Sequence, residues 1–78
     1  MSVSVRLYAG VKERAGKSEL SVEGDTIAAV REAVAAACPT IAEQLAFCRF
    51  AVNDEFVGEE ASVPDLAVID IIPPVSGG

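Results

Sequence analysis

Residues 27–37 carry the pattern of one long amphipathic helix, and this limits the rest of the chain more than any other feature. Asp25 and Thr26 are both good N-cap residues. Behind them Ile27, Val30, Val34 and Ala37 recur at spacings of three and four and so line one apolar stripe. Arg31, Glu32 and Ala35 fall towards the other side. Pro39 ends the helix, because the residue before a proline is pushed out of the α region. A single long helix covers only one face of a sheet. Whatever sheet the chain forms must therefore leave its second face open to solvent or to a partner.

The strands follow from alternation. Val3, Val5 and Leu7 alternate with Ser4, Arg6 and Tyr8, the period of a half-buried strand. Residues 9–17 form a polar connection broken by Gly10 and Gly16, with room for a turn of helix around 11–15. Residues 18–23 alternate again with Leu20 and Val22 on one face, so the first two strands read as a hairpin with a long loop. Residues 39–47 suit a second, short helix with Ile41 and Leu45 facing inward. Residues 49–53 read as a strand, Asn53-Asp54 as a tight turn of residues that tolerate left-handed geometry, and Phe56-Val57 as a short return. Residues 58–65 are acidic and loop-like, and residues 67–72 form the last and most apolar strand.

This order predicts an α+β fold, a sheet packed on one main helix. Its inner face takes Val5, Leu7, Leu20, Val22, Phe50, Val52, Ile69 and Ile71. Strict alternation sends Tyr8, Val68, Asp70 and Ile72 to the open face, where Phe56 joins them. Tyr8, Phe56 and Ile72 would then form an apolar patch of the kind that marks a partner-binding site. The competing account is a loop folded over that patch.

Composition excludes several function classes. Seventy-eight residues, 51% of them apolar and 23% charged, make one small globular domain. Net charge is −6 and no Lys or Arg follows Arg49, which argues against nucleic acid and suits a basic partner surface. No apolar run approaches the roughly 20 residues that span a bilayer, and the N-terminus has no secretory pattern, so the expected compartment is the cytoplasm. There is no histidine, and the two cysteines, Cys38 and Cys48, are too few for a four-ligand zinc site and wrongly spaced for a CxxC motif. Packing as small buried hydrophobes, without a disulfide, is the reading they favour. No metal site is expected. Without histidine or a Gly-rich phosphate loop, the chain does not read as a self-contained enzyme.

The last six residues, Pro73-Pro74-Val75-Ser76-Gly77-Gly78, follow the final strand. Each proline lacks an N–H and has φ near −65°, so the pair ends the strand and stiffens what comes next. Gly77 and Gly78 have no Cβ, so a narrow channel can take their backbone. A frayed terminus is the competing account.

With the two-stranded start, the Thr-capped helix, Ala51-Val52-Asn53 and the closing Ile71-Ile72-Pro73-Pro74-Val75-Ser76-Gly77-Gly78, the whole chain resembles the small subunit of molybdopterin synthase. That family belongs to the ubiquitin-like β-grasp sulfur carriers. The resemblance implies a mixed sheet with the first and last strands parallel at its centre, a β-grasp domain over 1–72 and a flexible Gly-Gly tail over 73–78. It implies that a ubiquitin-activating-like adenylyltransferase uses ATP to adenylate the carboxylate of Gly78, and that a sulfur donor converts the adenylate to a thiocarboxylate. Residues Pro73, Pro74, Val75, Ser76 and Gly77 then thread the active site of the large synthase subunit, where sulfur passes to cyclic pyranopterin monophosphate to build the molybdopterin dithiolene. The partners implied are that large subunit, in a heterotetramer of two small and two large chains, the adenylyltransferase and the sulfur donor, with no cofactor bound by this chain. Many relatives carry an Asp-Gly-Asp-Glu-like turn before the last strand; here Asp65-Leu66-Ala67-Val68 keeps only the first acid. A carrier for thiamine or another sulfur pathway, and a ubiquitin-like protein modifier, are the alternatives.

Overall fold

The computed structural model describes residues 2–74. Five strands, β1 (Ser2–Leu7), β2 (Glu19–Glu23), β3 (Arg49–Val52), β4 (Glu55–Val57) and β5 (Val68–Ile72), make one sheet in the order β2-β1-β5-β3-β4. β1 and β5 run parallel, with Ser4 opposite Val68 and Leu7 opposite Ile71. The other pairings, β1 with β2, β3 with β5 and β3 with β4, are antiparallel. The sheet is therefore mixed, with β5 in the middle and its C-terminal end leading into Pro73. Of the expected tail, Pro73 is half-buried and Pro74 exposed, while Val75, Ser76, Gly77 and Gly78 lie outside the described residues.

One face of the sheet is the core. Val3, Val5, Leu7, Val22, Phe50, Ile69 and Ile71 are all buried on it, with Leu20 and Val52 partly buried at its margins. Helix α2 (Ile27–Ala37) lays Ile27, Val30 and Val34 across this face. Its cap is Thr26, whose Oγ1 accepts a hydrogen bond from the Ala29 N–H at 3.2 Å. Two details of the helix differ from expectation. Ala37 is exposed, and Cys38 takes the inward place instead, because it leaves helical geometry ahead of Pro39 (φ −132°, ψ 76°). Ala35, expected on the outer side, is half-buried against the core.

The β1–β2 connection is more ordered than a loop. It holds helix α1 (Ala9–Ala15), which buries Val11 completely and ends at Gly16. Gly16 has φ 77°, the left-handed C-cap conformation that glycine adopts without strain, and its N–H donates to the Lys12 carbonyl at 3.0 Å. The short helix expected near residue 40 is a 3₁₀ turn (Pro39–Ile41) running into α3 (Ala42–Leu45), with Ile41 and Leu45 buried. Asn53 (φ 47°) and Asp54 (φ 72°) are both left-handed and join β3 to β4 as a two-residue hairpin.

The altered turn ahead of β5 has its own geometry. Asp65 Oδ1 accepts the Ser2 N–H at 2.9 Å, and the Leu66 N–H donates to the Ser2 carbonyl at 2.8 Å. Leu66 is left-handed (φ 64°) and exposed. Ala67, the next residue, is buried. Cys38 and Cys48 are both free thiols. Cys48 donates to the Gln44 carbonyl at 3.2 Å, and burial pushes its thiol pKa up, so it stays protonated and acts as a packing group. Among the described residues no helix is long and apolar enough to cross a membrane, and no three His, Cys, Asp or Glu side chains converge to hold a metal.

Candidate functional site: the open sheet face and the root of the tail

The face opposite α2 is built by the strand registers. Glu19 of β2 lies opposite Arg6 of β1, Arg6 opposite Asp70 of β5, Asp70 opposite Ala51 of β3, and Ala51 opposite Phe56 of β4. These five residues form one row across the whole sheet. One step nearer the tail, Ile72 lies opposite Arg49. Tyr8 follows the end of β1 on the same side, and its hydroxyl reaches Asp70.

Asp70 is the centre of this face. Alternation places it correctly on the open side, yet it is only 6% exposed because neighbouring side chains close over it. Arg6 donates to it twice, Nε to Oδ1 at 2.6 Å and Nη2 to Oδ2 at 3.0 Å, and the Tyr8 hydroxyl donates to Oδ1 at 2.8 Å. A buried carboxylate is costly unless it is paired and hydrogen-bonded, and here it is both. The Arg6 hydrogen bonds hold the Asp70 pKa below its ordinary range; the Tyr8 bond and the Arg6 charge act the same way, against burial. Reciprocally, donation to Asp70 raises the pKa of Tyr8, with burial and the nearby negative charge adding to it. Arg6 is raised by the same hydrogen bonds and by the charge of Asp70. Asp54 of the β3–β4 turn approaches the Arg6 guanidinium to 4.0 Å.

The three residues expected to form a partner-binding patch are all on this face, and among the described residues no loop covers them. Tyr8 is 38% and Phe56 51% exposed, and Ile72 is half-buried. The patch is not purely apolar, however. The Arg49 guanidinium lies over the Phe56 ring, 4.3 Å from its centroid, and the Tyr8 hydroxyl is committed to Asp70. Two arginines thus stand among the three apolar side chains. Alternation puts Arg6 and Arg49 on the open face, but only the register between distant strands brings them together there.

Sequence reasoning missed a second apolar feature at the root of the tail. A groove of about 250 Å³ is lined by Val11, Gln44, Phe47, Cys48, Pro73 and Pro74. Phe47 is 72% exposed. The signal was present: Ile41 and Leu45 define the inward stripe of this segment, and Phe47 falls off it. Gln44 Oε1 is buried there without a hydrogen-bond partner among the described residues.

The chain matches the ThiS family over residues 5–78, which takes in the β-grasp domain and the Gly-Gly end alike. It belongs to the ThiS family. Similar solved structures include SAMP1, the small archaeal modifier protein 1, from Methanosarcina acetivorans (25% identity, TM-score 0.89, 99% of this chain and 96% of that one). A chain of the complex of subunits 1 and 2 of molybdopterin-converting factor from Helicobacter pylori is similar over the full length of both (25% identity, TM-score 0.75). So is a chain of the BexX/CysO complex from Amycolatopsis orientalis (27% identity, TM-score 0.84, 97% of this chain and 99% of that one). No curated protein matches the sequence. This ThiS-family chain thus has the ubiquitin-like β-grasp fold and is a sulfur carrier of the ThiS type.

Proposed function

We propose that this chain is the sulfur-carrier small subunit of a molybdopterin synthase, with Gly78 as its reactive residue. The observation that carries the reading is the closing Pro73-Pro74-Val75-Ser76-Gly77-Gly78, issuing from the central strand of a ThiS-family domain. An α-carboxylate with a pKa of about 3.5 is ionised at neutral pH and is a poor electrophile. Attack of that carboxylate on the α-phosphate of ATP, in an adenylating partner, releases pyrophosphate and leaves an acyl adenylate. A sulfur nucleophile then displaces AMP to give the thiocarboxylate, which donates its sulfur to cyclic pyranopterin monophosphate in the large subunit. In this reading the partners hold the catalytic groups, ATP is consumed by the adenylating enzyme, and this chain contributes the handle and the acyl group. From Pro73 to Gly78 an extended chain reaches roughly 20 Å at about 3.3–3.6 Å per residue, enough to thread a channel with the domain docked outside. The open face with Tyr8, Phe56 and Ile72 is the docking surface, and its preformed Asp70 network reduces the ordering needed on binding. The similarity to one chain of a complex between molybdopterin-converting factor subunits supports a large-subunit partner.

Intact mass tests the loading step. Incubation with the adenylating enzyme, ATP and a sulfur donor should exchange one oxygen for sulfur at Gly78, and the loaded chain combined with the large subunit and the pterin precursor should yield dithiolene. Deleting Gly77 and Gly78 should abolish transfer while leaving the circular dichroism spectrum and thermal midpoint unchanged. Transfer by the truncated chain would refute the role of the tail. Likeness to an archaeal modifier protein favours a second reading, a protein modifier conjugated through Gly78. That reading predicts isopeptide bonds to lysine in place of dithiolene product.

A further inference from the structure

Most of the cationic side chains lie towards one end of the strand axis. β5 runs towards the tail, so Leu7, Ile72 and Arg49 mark the tail end of the sheet, and Ser2, Val68 and the β3–β4 turn mark the far end. The connection that leaves β1 at the tail end and returns there as β2 holds Glu13 and leads into Glu19, and it carries Lys12, Arg14 and Lys17. Together with Arg49 these are four of the six Lys and Arg residues in the chain. Among the described residues the ion pairs engage only Arg6 and Arg31, so these four cations have no carboxylate partner there. The far end is the reverse. Glu23 lies opposite Ser2, Asp54 and Glu55 make the β3–β4 turn, and Asp65 holds the Ser2 N–H. Arg6 reaches towards that end, with its guanidinium 4.0 Å from Asp54.

Two hollows flank the root of the tail. One, of about 270 Å³, is bordered by Arg6, Tyr8, Lys12 and Glu19. The other is the apolar groove walled by Phe47, Val11 and Pro73. Cations without a carboxylate partner among the described residues therefore lie near exposed apolar side chains at the end of the domain from which the chain leaves.

We infer that the tail end of the domain docks on a protein surface rich in carboxylates, set around the opening that admits the tail. The inference rests on the sulfur-carrier reading only in requiring that the tail be inserted into a partner. Lys12, Arg14, Lys17 and Arg49 pair with the partner's acids, and Tyr8, Ile72 and Phe47 cover its apolar residues. Lys12, Arg14, Lys17 and Arg49 outnumber Glu13 and Glu19 around the root of the tail, whereas the far end is acidic. An acidic partner therefore attracts the tail end and repels the far end. The domain arrives tail first. The basic partner surface expected from the net charge of −6 would face the wrong end of the molecule. That same net charge opposes a nucleic acid or an anionic membrane, whose charge extends well beyond a local rim.

Backbone amide shifts of the full-length chain test this directly. The probes are a soluble peptide alternating Glu and Leu, its Lys-Leu counterpart, an oligothymidylate, and phosphatidylglycerol vesicles. The Glu-Leu peptide should move Tyr8, Lys12, Arg49 and Ile72, and the double change Lys12→Glu with Arg49→Glu should remove those shifts. Glu55→Lys at the far end should leave them unchanged. No shift with the Glu-Leu peptide, shifts centred elsewhere, or a larger response at these residues to oligothymidylate or vesicles would overturn the inference. With the adenylating enzyme as partner, the double change should slow association roughly ten-fold at low salt, and the difference should fade as salt is raised. Failure of the unaltered chain to take up sulfur would sink the sulfur-carrier reading alone, since the peptide map judges the docking surface independently.

Discussion

Asp70→Asn should uncouple the open face from the core without changing its shape. The carboxylate accepts Arg6 Nε at 2.6 Å, Arg6 Nη2 at 3.0 Å and Tyr8 Oη at 2.8 Å. An amide keeps one oxygen and turns an NH₂ group towards a donor, so at least one charged hydrogen bond is lost and a donor–donor contact takes its place. A hydrogen bond to a charged group contributes about 1.5–3 kcal/mol. The Arg6 side chain is 45% exposed, so its freed N–H reaches water, and the cost stays below the 3–5 kcal/mol typical of a broken buried pair. The expected loss is about 1–2 kcal/mol, or a midpoint lower by about 5–10 °C in a domain of this size.

The same network sets a pH dependence. The folded-state pKa of Asp70 is held below its ordinary value of 3.8, chiefly by the Arg6 hydrogen bonds. The unfolded chain therefore binds this proton more readily than the folded one. Stability from the network is complete above the unfolded pKa and is lost as pH falls through the folded one. Urea denaturation of both proteins from neutral pH down to about pH 2 should show the full gap at neutrality and a closing gap in acid. A variant within about 0.3 kcal/mol of the parent at neutral pH, or a gap that widens as pH falls, would refute the reasoning.

Two further changes probe the backbone. Leu66→Gly relieves a left-handed residue (φ 64°) whose side chain is 80% exposed, and should raise stability by about 0.5–1 kcal/mol in urea denaturation. Gly24→Ala should do the opposite: its Cβ would fall 3.0 Å from both the backbone nitrogen and Cγ2 of Val30, forcing β2 and α2 apart at a cost of about 1–3 kcal/mol by the same assay.

Much of the fold was legible because it rests on local periodicity. Val3, Val5 and Leu7, the Thr26 cap, the Asn53-Asp54 turn and the inward Ile41 and Leu45 are all readable from spacing and backbone preference alone. Errors fell where the chain leaves regular geometry. Cys38 replaced Ala37 in the core because Pro39 breaks the helix there, and α1 formed fully because Val11 had a core to enter. The patch of Tyr8, Phe56 and Ile72 was legible as three outward side chains, but its charged content was not.

By itself, then, the sequence determined most of the elements and the face each strand turns inward. Those properties are set by residues close together in the chain. Only the tertiary structure decided that Asp70 meets Arg6 and Tyr8, more than sixty positions away, and that Arg49 covers Phe56. Register between non-adjacent strands makes those encounters. It is fixed by burying the whole inner face at once, a condition no local stretch can express.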